Sequence, residues 1–177
     1  MKTSLKVSVG GAVAALGLVL MFLTSLIPVG TYAFPAFAGM LLVIIVIEIG
    51  YPFAFSVFAA TALLSFLIVT DKEAALLYTA FFGYYPIIKA LIERIRSRVV
   101  QYIVKYAVFN VCMIASFYIA IRLLSIPTES FVVFGVYLPW VFLLAGNAFF
   151  LLYDICITRI VTLYLLKWHD KINHHSK

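Results

Sequence analysis

The chain has 177 residues, of which 66% are hydrophobic and 11% charged, and its mean hydropathy is +1.15. Soluble domains carry about a quarter charged residues, so this composition excludes a globule packed in water. The net charge of +6 reads first as membrane topology rather than nucleic-acid binding, because lysine and arginine are retained on the cytoplasmic side of membranes.

Runs of about 20 apolar residues cross a hydrocarbon core of about 30 Å as helices, and the sequence predicts an all-α polytopic membrane protein with six such spans. The first covers residues 7–27. Its basic start, "MKTSLK", resembles a signal peptide, but the run continues to Pro28 without a cleavage pattern, so a retained helix is expected. The second covers residues 32–49 and ends at "GYP"; Pro52 suits the first turn of the third, residues 52–70. "DKEA" forms a polar turn that places acidic residues in the first turn of the fourth span, residues 74–92. The fifth covers residues 104–124, and "SIPTES" breaks the chain again. The last apolar run, residues 131–166, would measure about 54 Å as one helix, too long for an upright crossing. Pro139 therefore starts the sixth span, residues 139–160, with "FVVFGVY" as a loop or short surface segment and residues 161–177 as a cytoplasmic helical extension and tail.

With the N-terminus inside, Lys2, Lys6, Lys89, Arg94, Arg96, Arg98, Lys105, Arg159, Lys167, Lys171 and Lys177 fall on the cytoplasmic side, against Lys72 and Arg122 outside. This asymmetry predicts that both termini are cytoplasmic. Tyr32, Tyr137, Trp140 and Trp168 near span ends fit interfacial anchoring.

Charges inside the spans need partners. Glu48, Lys89 and Asp154 lie on three helices at a similar depth, roughly 22 to 24 Å from the outer ends by helix rise. An unpaired charge there costs at least about 2.5 kcal/mol, so the sequence predicts a cluster of Glu48, Lys89 and Asp154 with Asn110 as a hydrogen-bonding neighbour. The alternative is that Lys89 snorkels to the interface on its long stem. Tyr85, Lys89 and Glu93 share one helical face, but Glu93 and Arg96 are placed in the headgroup zone, solvated, and Arg159 near the inner interface, beside Asp154 or a lipid phosphate. Pro86 cannot donate to the carbonyl of Phe82, and with Gly83 it predicts a kink one turn above Lys89.

Toward the outer side, Thr24, Ser25, Tyr32, Tyr78, Tyr118, Tyr137, Trp140 and Asn147 are candidates for an amphipathic pocket. Of these Tyr32, Tyr137, Trp140 and Asn147 are taken as substrate-binding, Asn147 because a midplane amide needs a partner. No catalytic constellation emerges: the sequence contains no HExxH, GxSxG or Walker glycine loop, so no enzyme, cofactor or metal site is expected. Cys112 and Cys156 sit in different spans as small core residues, and His169, His174 and His175 belong to a solvated tail.

In "GGAVAALGLVL", Gly10 pairs with Ala14 and Gly11 with Ala15 at the small-xxx-small spacing that permits close helix approach, within the bundle or with a partner. This helix, together with "DKEAALLYTAFFGYYPIIKALIER", resembles the substrate-binding S components of energy-coupling factor transporters in the bacterial cell membrane. The resemblance implies that a vitamin-like micronutrient binds from the outer side. It also implies that Gly11 and Ala15 dock on a transmembrane coupling subunit served by separate ATPases, although glycine stands where such motifs favour alanine. No thiamin, riboflavin, biotin or cobalamin fingerprint is present, and the cluster around Lys89 is not a general substrate feature of that family. Two other readings stay open: a structural or regulatory membrane subunit, and a gradient-driven carrier using the carboxylates for protons. Membrane lipid is a partner under all three.

Overall fold

The computed structural model describes residues 3–27, 30–122, 132–133, 136–137 and 139–167. Among the described residues seven α-helices follow in chain order: α1 (Thr3–Leu23), α2 (Ala33–Glu48), α3 (Tyr51–Ile68), α4 (Lys72–Leu77), α5 (Tyr85–Ile92), α6 (Arg98–Arg122) and α7 (Pro139–Lys167). A π-helical turn, Tyr78–Phe82, joins α4 to α5, so that 72–92 forms one interrupted crossing. Among the described residues, five helical stretches are long and apolar enough to cross a membrane. The protein is a multi-pass helical membrane protein. Helix α2 is shorter: its 16 residues rise about 24 Å, less than the hydrocarbon thickness. A two-residue antiparallel ladder, β1 (Val132–Val133) with β2 (Val136–Tyr137), lies where "FVVFGVY" is expected as a loop or short surface segment.

Helix boundaries have local causes. Gly50 ends α2 in a left-handed conformation, φ 111°, open to glycine at no steric cost, and its N–H reaches back to the carbonyl of Ile45. Asp71 caps α4, its Oδ1 accepting from the Ala74 N–H at 3.0 Å. The Lys72 ammonium donates to the carbonyls of Phe66 and Val69, which closes the end of α3. Helix α6 begins at Arg98, well before the expected residue 104. Helix α7 runs unbroken for 29 residues. The chain beyond position 167, with Trp168 and the three histidines, lies outside the described residues.

Contacts between helix ends mark two ends of the bundle. At one end Tyr32 and Thr31 meet Glu73 and Asp71; at the other Arg94 donates to the Tyr51 hydroxyl at 2.9 Å. The core has two parts. Helices α1 to α3 and the start of α4 share an aliphatic core around Met21, Leu42, Ile45 and Ala62. The second is aromatic and centres on Phe81, whose ring contacts Phe82, Tyr84, Tyr85, Phe109 and Phe150. Phe109 of α6 stacks on Phe150 of α7 with centroids 4.7 Å apart, so aromatic contacts carry the packing of the last helices.

Candidate functional site

Two polar arrangements and one large cavity stand out. The first lies toward the Arg94 end. Tyr85, Lys89 and Glu93 recur every fourth residue and so project from one face of α5 and its end. Opposite them stand Asp154 on α7 and Lys105 on α6. Lys89 Nζ lies 2.5 Å from Asp154 Oδ1 and 2.6 Å from Glu93 Oε1. Lys105 Nζ lies 2.8 Å from the same Glu93 oxygen and 3.1 Å from both oxygens of Asp154. The Tyr85 hydroxyl donates to Asp154 Oδ1 at 2.6 Å.

Two ammonium groups thus share two carboxylates, and the cluster is neutral. Lys89, Lys105 and Asp154 are only 2, 3 and 5% exposed, so this is an internal knot rather than a set of side chains stretched to the interface. Burial favours the neutral carboxyl at Glu93, but hydrogen bonds from Lys105 and Lys89 outweigh it and hold the group below its usual range. Because Lys89 and Lys105 each bridge Glu93 Oε1 and Asp154, the knot ties three helices together.

Two expected members are elsewhere. Glu48 accepts from the Tyr164 hydroxyl at 3.0 Å, and no ion pair among the described residues joins it to Lys89 or Asp154. Glu48 is the last residue of α2 and meets α7 at Tyr164, ten residues, about 15 Å of rise, beyond Asp154. Asn110 pairs with Asn147 in a reciprocal amide bridge of 2.9 and 3.0 Å, and each also donates to its own helix, at the Tyr106 and Leu143 carbonyls. Asn147 therefore joins α6 to α7 and does not line the large cavity. Glu93, expected solvated in the headgroup zone, and Lys105, expected on the cytoplasmic side, belong to the knot. The signal for Lys105 was available: a helix starting at Arg98 carries it two turns inward. Arg159 is exposed and makes none of the ion pairs among the described residues.

Above the knot, Pro86 leaves the Phe82 carbonyl without a backbone donor, and the chain accommodates this by widening into the π-helical turn. The Gly83 N–H bonds the Tyr78 carbonyl at 2.8 Å, five residues back, and the Phe82 carbonyl accepts from the Tyr153 hydroxyl at 3.1 Å. Gly39 of α2 packs directly on this point: a Cβ there would lie 2.1 Å from the Phe82 oxygen.

Toward the Tyr32 end, a cavity of about 730 Å³ opens between α4, the π-helical turn, α6 and α7. Buried Phe82 and Phe109 line it together with Gly146 and Phe149, and toward the Tyr32 end Glu73 and the exposed Tyr32, Tyr118 and Trp140 stand around its mouth. Tyr32 and Trp140 are thus brought together as the sequence suggested, whereas the Tyr137 side chain lies outside the described residues. The Tyr32 hydroxyl donates to Glu73 Oε1 at 2.9 Å; burial and that carboxylate push its acidity well out of reach of ordinary pH. A smaller space of about 300 Å³ beside Lys89, Glu93 and Tyr51 lies at the other end. Among the described residues no group of His, Cys, Asp and Glu is arranged to hold a metal ion.

On α1, Gly10, Val13 and Gly17 face the bundle, where a Cβ on Gly10 would meet Phe53 at 2.8 Å. Gly11 and Ala15 lie on the opposite, exposed face, and Gly11 has nothing within 4 Å of a Cβ position. No family model matches the chain, and no curated protein or solved structure is significantly similar to it.

Proposed function

We propose that this protein is the substrate-binding membrane subunit of a micronutrient uptake system, taking a small molecule from the outer side and relying on a separate ATPase-coupled module. The observation that carries the reading is the cavity of about 730 Å³ near the Tyr32 end. Its size falls within the range of about 300–1,000 Å³ typical of small-molecule sites, and its wall is apolar and aromatic with few polar groups, as such sites are. In this reading the Tyr32 end faces outward and the Arg94 end faces the cytoplasm of a bacterial cell, with both termini inside. The excess of Lys and Arg at the Arg94 end supports that orientation. The exposed Gly11–Ala15 face of α1 supports docking on a transmembrane coupling subunit, since small residues let a partner helix approach closely.

A gradient-driven carrier is less well supported, because a proton-coupling carboxylate must gain and lose its proton during the cycle. Asp154 and Glu93 are each held by two ammonium groups. Affinity purification from native membranes tests the proposal: a coupling subunit and two ATPases should accompany the chain. Repeated clean isolation without them, in several detergents, would contradict it and favour a structural or regulatory subunit.

A further inference from the structure

The cavity's charge distribution narrows its ligand class, an inference that rests on reading the cavity as a binding site. Among the described residues its wall includes one charged side chain, Glu73. Glu73 Oε1 accepts from Tyr32, while Oε2 accepts no hydrogen bond among the described residues. The neighbouring carboxylate, Asp71, is occupied differently: one oxygen caps α4 through Ala74 and the other takes the Thr31 hydroxyl at 2.9 Å.

The nearby cations do not neutralise this oxygen. Lys72 is turned away onto the carbonyls ending α3, and Arg122, at the end of α6, is exposed and forms no ion pair with Glu73 or Asp71. Tyr32, Tyr118 and Trp140 add ring faces at the mouth, and ring faces attract cations. Below them the wall is hydrocarbon and aromatic, with Ser116 already bonded to the Cys112 carbonyl at 2.7 Å. From Glu73 to Phe82 is nine residues of helix, about 13 Å of rise, which sets the length of an occupant.

We propose that the cavity selects amphipathic organic cations: molecules with an apolar body that fills the Phe109–Phe149 region and a protonated amine that meets Glu73 Oε2. An anionic ligand finds repulsion at the mouth and no donor deeper in the wall. A neutral ligand gains the apolar contacts but not the charge-assisted hydrogen bond.

A matched set of probes tests this by isothermal titration of the protein in phosphatidylcholine nanodiscs, with empty nanodiscs as the blank. The probes are 4-phenylbutylamine, 4-phenylbutan-1-ol and 4-phenylbutyrate. The amine should bind about tenfold or more tighter than the alcohol, as a charge-assisted hydrogen bond implies, and the carboxylate weakest. Glu73→Gln should bring the amine down to the alcohol's affinity. Equal binding of all three, tightest binding by the carboxylate, or an amine preference that survives Glu73→Gln would overturn the cation assignment while leaving the cavity as a ligand site. Binding of none above the blank would overturn both.

Discussion

Lys89 and Lys105, on different helices, donate to the same two oxygens, Glu93 Oε1 and Asp154 Oδ1. Each carboxylate is what allows the two ammonium groups to lie close together, and each ammonium satisfies both carboxylates. The knot therefore behaves as a unit in which charge balance matters more than any one pair.

Removing one member should be worse than removing two of opposite sign. Asp154→Asn leaves two buried ammonium groups with one carboxylate, and breaking a buried pair in this way costs about 3–5 kcal/mol. Lys89→Met combined with Asp154→Leu keeps Lys105 with Glu93, restores neutrality and should recover most of the loss. Thermal unfolding in micelles of Lys89→Met, Asp154→Leu and the double variant measures the coupling.

The knot should also respond to acid. The Glu93 carboxyl is held below its ordinary value of 4.5, so its contribution to stability is fully present above that value and is lost as pH falls through the lower, folded one. The melting temperature should drop on acidification below about pH 4.3, the usual glutamate range, and Glu93→Gln should lessen that drop.

The bridge between Asn110 and Asn147 predicts a smaller effect. Each amide retains a bond to its own helix when the other is removed. Asn110→Leu and Asn147→Leu should therefore show a coupling energy of about 0.6 kcal/mol, and no more than about 1.7, in a double-mutant cycle.

Two glycines on lightly different terms give a further contrast. Gly39→Ala puts a methyl group on the Phe82 carbonyl, where backbone must move, and should cost at least the 1–3 kcal/mol or so typical of overpacking. Gly11→Ala meets open space and should be neutral or stabilising by up to about 1 kcal/mol from helix propensity. If Gly11→Leu, whose Cβ also meets open space, weakens capture of a coupling subunit without lowering the melting temperature, the exposed face of α1 is the docking face.

Much of the helical layout was legible because apolar run length and prolines are direct signals. Pro139 begins α7, and Pro52 sits in the first turn of α3. Depth counted from helix ends brought Lys89 and Asp154 to one level, but failed for Glu48, because α2 and α7 do not begin at the same level: Glu48 meets Tyr164, ten residues past Asp154. Run length alone hid the start of α6: charged Arg98 and Lys105 look like interfacial residues until the helix carries Lys105 onto a buried face with Phe109 and Ser116. The π-helical turn was only half legible. Pro86 announced a freed carbonyl, but which group would satisfy it depended on the register of α7, and that register is set by aromatic packing rather than by a local pattern. The cavity was less legible still, since it arises from what Gly146 and the widened turn leave unfilled.

The central claim is that this cavity holds a small molecule, and native mass spectrometry of the protein gently released from native membranes tests it most directly. A Cβ on Gly146 would lie 3.4 Å from the Phe109 ring, an ordinary contact, so Gly146→Leu brings a larger side chain into the cavity and narrows it beside Phe109. The account predicts a small-molecule adduct on the unaltered protein that is absent from a Gly146→Leu variant of equal melting temperature. An unaltered protein that carries no adduct and gains none from a cell extract, or an adduct that persists in Gly146→Leu, would contradict it.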